Sequence, residues 1–150
     1  MAYWGVNMNS GGSSVKTCGT ICAAAASARR WQLLTLELGN ATSPADNAFL
    51  LIVQRCTSNA TGSARTPNML DQADTLAATV VVTDTATADP PLTANAFLMN
   101  WPVNQRGSVR FVPPPNAPIV GPATASNGVM IGVSSASTTT QGASATVLEL

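Results

Sequence analysis

The chain of 150 residues contains no histidine, one lysine and one tyrosine, and only 9% of its residues carry a charge. Without histidine there is no Ser-His-Asp or Cys-His mechanism, because the usual base beside the nucleophile is missing. Six arginines and Lys16 balance seven carboxylates to a net charge of zero. The arginines are dispersed apart from Arg29-Arg30, so no basic patch interleaved with aromatics exists to attract nucleic acid or an anionic membrane. No uninterrupted apolar run reaches the ~20 residues of a membrane-spanning helix. The first residues lack a basic segment followed by an apolar one, so no secretory signal is expected. Glycine-rich phosphate loops are not expected either, since nothing in the sequence marks a strand before Gly11-Gly12 or a helix after it.

Three cysteines cannot all pair within one chain, and a reducing compartment is the simpler reading. Cys18 and Cys22, in CGTIC, have the spacing of metal ligands. With only Cys56 and scattered carboxylates to complete a site, buried thiols serving as small hydrophobes fit better, and no metal or cofactor is expected. Carboxylate chemistry passes the histidine filter. A glycosidase needs two acids from Glu37, Asp46, Asp71, Asp74, Asp84, Asp89 and Glu149, yet the aspartates fall where turns want them and few aromatics are present to stack sugars. Calcium could use Asp71 and Asp74 with Asp84 and Asp89, but no EF-hand pattern accompanies them, and capping or turn duty accounts for the pair. The sequons at Asn40 and Asn59 read as turn residues. No catalytic residue is assigned, and the chain is not expected to be an enzyme.

What is abundant is small: Ala, Ser, Thr and Gly fill 66 of the 150 positions. Such a composition suits a closely packed, assembled surface. Between the turn-forming segments lie short runs with strand character. In Trp31–Leu38, Leu34, Leu36 and Leu38 share one face, and Thr35 and Glu37 the other. Phe49–Val53 is apolar on both faces, as in a central strand covered on both sides. Thr79–Thr83 is β-branched at every position. Phe97, Met99 and Trp101 alternate, as do Val109 and Phe111, then Val129, Ile131 and Val133; Val147–Leu150 closes the chain. With a weaker run at Val15–Ile21 these make about eight strands and no helix-strand alternation, the signature of a single-domain jelly roll or β-sandwich. Ala23–Ala28 reads as a connection, 57–78 as a longer one with a short helix near Asp71, and SSASTTTQGAS as a low-complexity turn.

The domain is expected to run over 29–150, behind an extended N-terminal arm and connection over 1–28. The large residues of that arm, Tyr3, Trp4, Val6 and Met8, have two readings: anchors docked on a partner, or a first strand packed on its own domain.

The order of segments from Arg29 to Leu150 resembles a family of small jelly-roll proteins found among the head genes of tailed bacteriophages, the capsid decoration or cement proteins. The likeness rests on a strand ending Leu38-Gly39-Asn40, a strand ending Gln54-Arg55, the spacing Pro67-x-x-Leu70-Asp71-x-x-Asp74, the segment Asn100 to Pro115 and two closing strands. Departures are the uncharged Asn116–Pro122 and the long segment before Trp31. The resemblance implies a virion structural protein made in the host cytoplasm: a homotrimer on the outside of the head that binds the major capsid protein and stabilises contacts between capsomers. Tyr3, Trp4, Val6 and Met8 would be the capsid-facing anchors, and no active site comes with the likeness. A tail-associated or receptor-binding sandwich module is the alternative, because fold does not fix function.

Overall fold

A computed structural model describes residues 1–10, 15–26, 28–42, 44–135 and 139–150. Gly11-Gly12 and the middle of SSASTTTQGAS lie outside the described residues. Twelve strands form two antiparallel sheets, and the described residues contain no helix. The turn at Asp71 takes the place of the helix expected there.

The first sheet has β3 (Trp31–Asn40), β12 (Gln141–Glu149), β1 (Ala2–Asn9) and β6 (Asn68–Met69) in that order. Two short strands share the free side of β3: β10 (Ile119–Gly121) beside residues 31–33 and β9 (Ser108–Phe111) beside 36–39. The second sheet runs β5 (Thr61–Arg65), β7 (Val80–Ala88), β2 (Thr17–Ala23), β11 (Gly128–Val133), β4 (Ala48–Cys56), β8 (Leu92–Asn104). Apart from β5, β6 and β7 the partners nest: β1 with β12, β2 with β11, β3 with β10 and β9, β4 with β8. A long antiparallel hairpin gives this nesting when it wraps into two layers, and the β12–β3 and β11–β4 ladders then stitch the wrap shut. The result is a β-sandwich of two antiparallel sheets. Residues 57–91 are an insertion in it, adding β6 beside β1 and β7 with β5 beside β2.

The segment before Trp31 is not an arm. Strand β1 pairs with β12 over eight residues and β2 lies inside the second sheet, so both strands belong to the domain, which does not begin at residue 29. The alternation of β1 sends Trp4, Val6 and Met8 inward, where they are 1–3% exposed, and leaves Tyr3 47% exposed on the outer face. Burying an aromatic and two aliphatic-length side chains stabilises the fold by roughly 1.5–3 kcal/mol each, which outweighs leaving them in water. Met8 reaches across the sandwich to β2: a Cβ on Gly19 would lie 2.5 Å from its Sδ.

Leu33, Leu36, Leu38, Leu51, Val53, Val82, Val129, Ile131 and Val147 fill the space between the sheets. The phase of β3 differs from simple alternation. Opposite Thr146 and Val147 its register skips Leu34, a β-bulge, so Leu33 rather than Leu34 joins Leu36 and Leu38 in the core. Strand β4 does have two buried faces. Leu51 and Val53 enter the main core, while Ile52 joins Cys22, Cys56 and Met130 in a second cluster on the other side of the sheet. A bulge in β2 separates the CGTIC thiols in the same manner. Its register skips Cys18, which faces the main core, whereas Cys22 belongs to the second cluster.

Candidate functional site

Each of the seven carboxylates has a partner within the fold. Asp84, 4% exposed on β7, accepts from the Asn9 amide of β1 at 2.5 Å and pairs with the Arg65 guanidinium, so one buried acid ties the two sheets along their shared edge. Glu149 on β12 does the same further along: its Oε1 accepts from the amides of Thr79 and Val80 at 2.5 and 2.9 Å. Asp89 Oδ1 accepts from the Lys16 and Thr17 amides and the Thr17 hydroxyl at 2.6–3.0 Å. Asp71 and Asp74 cap turns through the amides of Ala73 and Leu76 at 3.0 and 3.1 Å. Asp46 accepts from Asn104 Nδ2 at 2.6 Å, and Glu37 meets Arg110 at 3.2 Å on the exposed face of the first sheet. Among the described residues no three His, Cys, Asp or Glu side chains gather where a metal ion could be held.

All three cysteines are buried thiols. Cys22 and Cys56 approach to 3.7 Å between sulfurs, yet both are in register with Gly128, which places a strand between them. Two strand spacings put their Cα atoms about 10 Å apart, beyond the ~7 Å that a disulfide spans. Their hydrogen bond to each other, with burial, holds the Cys22 thiol protonated far above its ordinary range. Burial pushes Cys18 up from 9.0 to about 12; the Asp84 charge adds to this, and a hydrogen bond with the Ala143 backbone opposes it.

An alkaline limit to stability follows. The folded state keeps Cys18 protonated to about pH 12, while the unfolded thiol ionises near 9.0. Its contribution to stability is therefore complete below pH 9 and is lost as the pH rises toward 12, at on the order of 1 kcal/mol per unit. Denaturant midpoints should hold between pH 8 and 9 and fall steadily from pH 9 to 11, and Cys18→Ala should flatten the slope. Equal slopes in the two proteins would mean that another group sets the limit.

Two surface features bear on function. The first is the edge built by the insertion. Leu70 (57% exposed) lies over Gly5 and donates its amide to the Tyr3 carbonyl, so Tyr3 and Leu70 adjoin on the outer face of the first sheet. From there the chain turns round the edge through Leu76 (51% exposed) to Val81 on the second sheet. Leu76 and Val81, with Pro67, Ala78 and one side of Trp4, line a shallow depression of about 430 Å3. Of the Pro67-x-x-Leu70-Asp71-x-x-Asp74 segment, Leu70 and Asp71 are exposed, Asp74 is half-buried and Pro67 is buried, in the loop that begins this edge. Of the four anchors expected from the sequence only Tyr3 is at the surface; Trp4, Val6 and Met8 are core.

The second feature lies where β3 begins and β4 ends. A cleft of about 660 Å3 is walled by Arg30 and Arg55, by β10 and by the loop that leads into β11. Arg55 is opposite Val129 in the ladder and two residues beyond Val53, hence on the inward face of its sheet, at the end of the sandwich. It crosses to the first sheet, donating from Nη1 to the Val120 carbonyl at 2.8 Å. Burial draws Arg55 below its ordinary value, partly offset by the neighbouring Cys56. Sequence reasoning found no role for Arg55; the only signal was a charged residue closing an apolar strand.

No protein-family model matches the chain, and no curated protein or solved structure does.

Proposed function

We propose that this chain is a virion structural protein: a decoration or cement protein that binds the outside of a tailed-bacteriophage head, as a homotrimer, and bridges joints in the shell of the major capsid protein. The reading is supported by the resemblance over Arg29–Leu150 and by the two-sheet wrap that such proteins share. The observation that carries it is the edge built by the insertion, where two exposed apolar pairs, Tyr3 with Leu70 and Leu76 with Val81, lie beside the motif of the resemblance. Apolar side chains gathered on one edge mark a surface that another protein covers. A cement protein works by burying area across joints, so its function is spread over such a surface and needs no perturbed acid, metal or nucleophile. The full commitment of the carboxylates to the fold is consistent with that way of working.

The test is a copy count on purified particles. Decoration predicts band intensity comparable with that of the shell protein, and loss of this chain together with shell strength on mild heating. A handful of copies per particle would sink the proposal in favour of a tail or receptor-binding module. Recombinant protein carrying Leu70→Asp and Leu76→Asp should re-bind stripped particles at least about tenfold more weakly, the loss expected when central apolar contacts are replaced by charge.

A further inference from the structure

We propose that the cleft at the end of the sandwich, between Arg30 and Arg55, is a binding site for a carboxylate group. Two cationic side chains line it, and neither is in an ion pair among the described residues, whose ion pairs are Arg65 with Asp84 and Arg110 with Glu37. No carboxylate is among the lining residues. A guanidinium has five N–H donors, and Arg55 is shown with a single acceptor, the Val120 carbonyl. That bond holds the side chain across the gap between the sheets, so its planar fork is already oriented before any ligand arrives, which lowers the entropy cost of binding. The rest of the polar wall is Thr57, whose hydroxyl is donated to the Pro91 carbonyl at 3.5 Å, with Thr93, Thr124 and Asn127, whose side chains can donate to an oxygen. With one Nη engaged on the protein, the remaining edge of the fork suits the two oxygens of a planar carboxylate. A volume of about 660 Å3 admits a ligand of several carbon atoms or the acidic side chains of a docked segment.

The site stands apart from the capsid reading, and it can be tested on the isolated protein without particles. Titrations followed by NMR at constant, low ionic strength would use citrate, inorganic phosphate and the peptide acetyl-Glu-Glu-Glu-amide as probes. Citrate or the peptide should bind saturably with Kd at or below the millimolar range, more tightly than phosphate, and shift the Arg55 Nε–H signal. Arg55→Gln should weaken binding about tenfold or more, the value of one charge-assisted bidentate contact. Arg55→Lys keeps the charge but loses the fork and should recover only part of it. Arg30 is exposed, so Arg30→Gln will fold and gives a second reading of the same loss. The peptide binding more tightly than citrate would assign the carboxylate to a protein partner, and the reverse order to a free acid. No saturable response below about 50 mM would overturn the proposal, since such a Kd is worth under ~2 kcal/mol. So would binding unchanged in Arg55→Gln and Arg30→Gln, or phosphate binding more tightly than either carboxylate probe.

Discussion

Alanine in place of Gly121 should cost about 3 kcal/mol or more, among the largest effects available to a single methyl group here. Gly121 is paired with Trp31 across the β10–β3 ladder, and a Cβ there would fall 1.9 Å from the indole Cε2 and 2.2 Å from Nε1. The indole is fully buried and packed within the main core, so it cannot swing aside without displacing its neighbours. Trp31→Ala alone should cost about 3–5 kcal/mol as a cavity. The two changes together should cost less than their sum by at least about 1 kcal/mol, because removing the indole removes the collision. Urea unfolding of the two single variants and the double variant would measure this; strict additivity would refute the contact.

Glu149→Ala should be comparably damaging for a different reason. A single buried oxygen, Oε1, serves the amides of Thr79 and Val80 as β7 begins, and both amides would lose their acceptor. Each unsatisfied buried amide costs about 1–3 kcal/mol, so a loss of roughly 3 kcal/mol is expected. Glu149→Gln keeps an oxygen in place and should cost much less. Equal losses in the two variants would show that packing of the side-chain stem, and not the hydrogen bonds, matters at this joint. Faster amide exchange confined to Thr79 and Val80 in the alanine variant would locate the defect.

These two contacts bear on how much of the molecule could be read from its letters. Runs with uninterrupted alternation or β-branching, such as Val129–Val133 and Val80–Val82, became strands, because a pleated chain must sort its side chains to two faces. Strand β1 carries the same signal in Trp4, Val6 and Met8. Its intervening Gly5, Asn7 and Asn9 resemble loop composition, which is why an arm was expected; they are the outward face of a strand between two others. The bulges at Leu34 and Cys18 leave no mark in a single sequence, since the chain changes phase only when it meets its partner. Strand β5 is exposed at every residue and has no apolar face to betray it, and β10 is three residues set between Pro118 and Pro122. Of the candidate surfaces, the motif from Pro67 to Asp74 was legible as a segment, but not the edge it begins. The cleft could not be seen at all, because the bond from Arg55 to Val120 joins residues 65 positions apart across two layers.

The nesting of β1 against β12 has a consequence for how the chain folds. Ala2 is held opposite Glu149 and Asn9 opposite Gly142, so the middle of one sheet is made from the first and last strands of the fold. Closing a loop of that length must come before its contacts reward it, and folds dominated by such pairings are slow, reaching the millisecond-to-second range. During synthesis β1 waits, with Trp4, Val6 and Met8 uncovered on the side that β12 will later secure, until β12 itself has emerged from the ribosome. Completion is therefore a late, all-at-once event, and the nascent chain is the stage at which this protein is most open to misassociation or to protection by a chaperone.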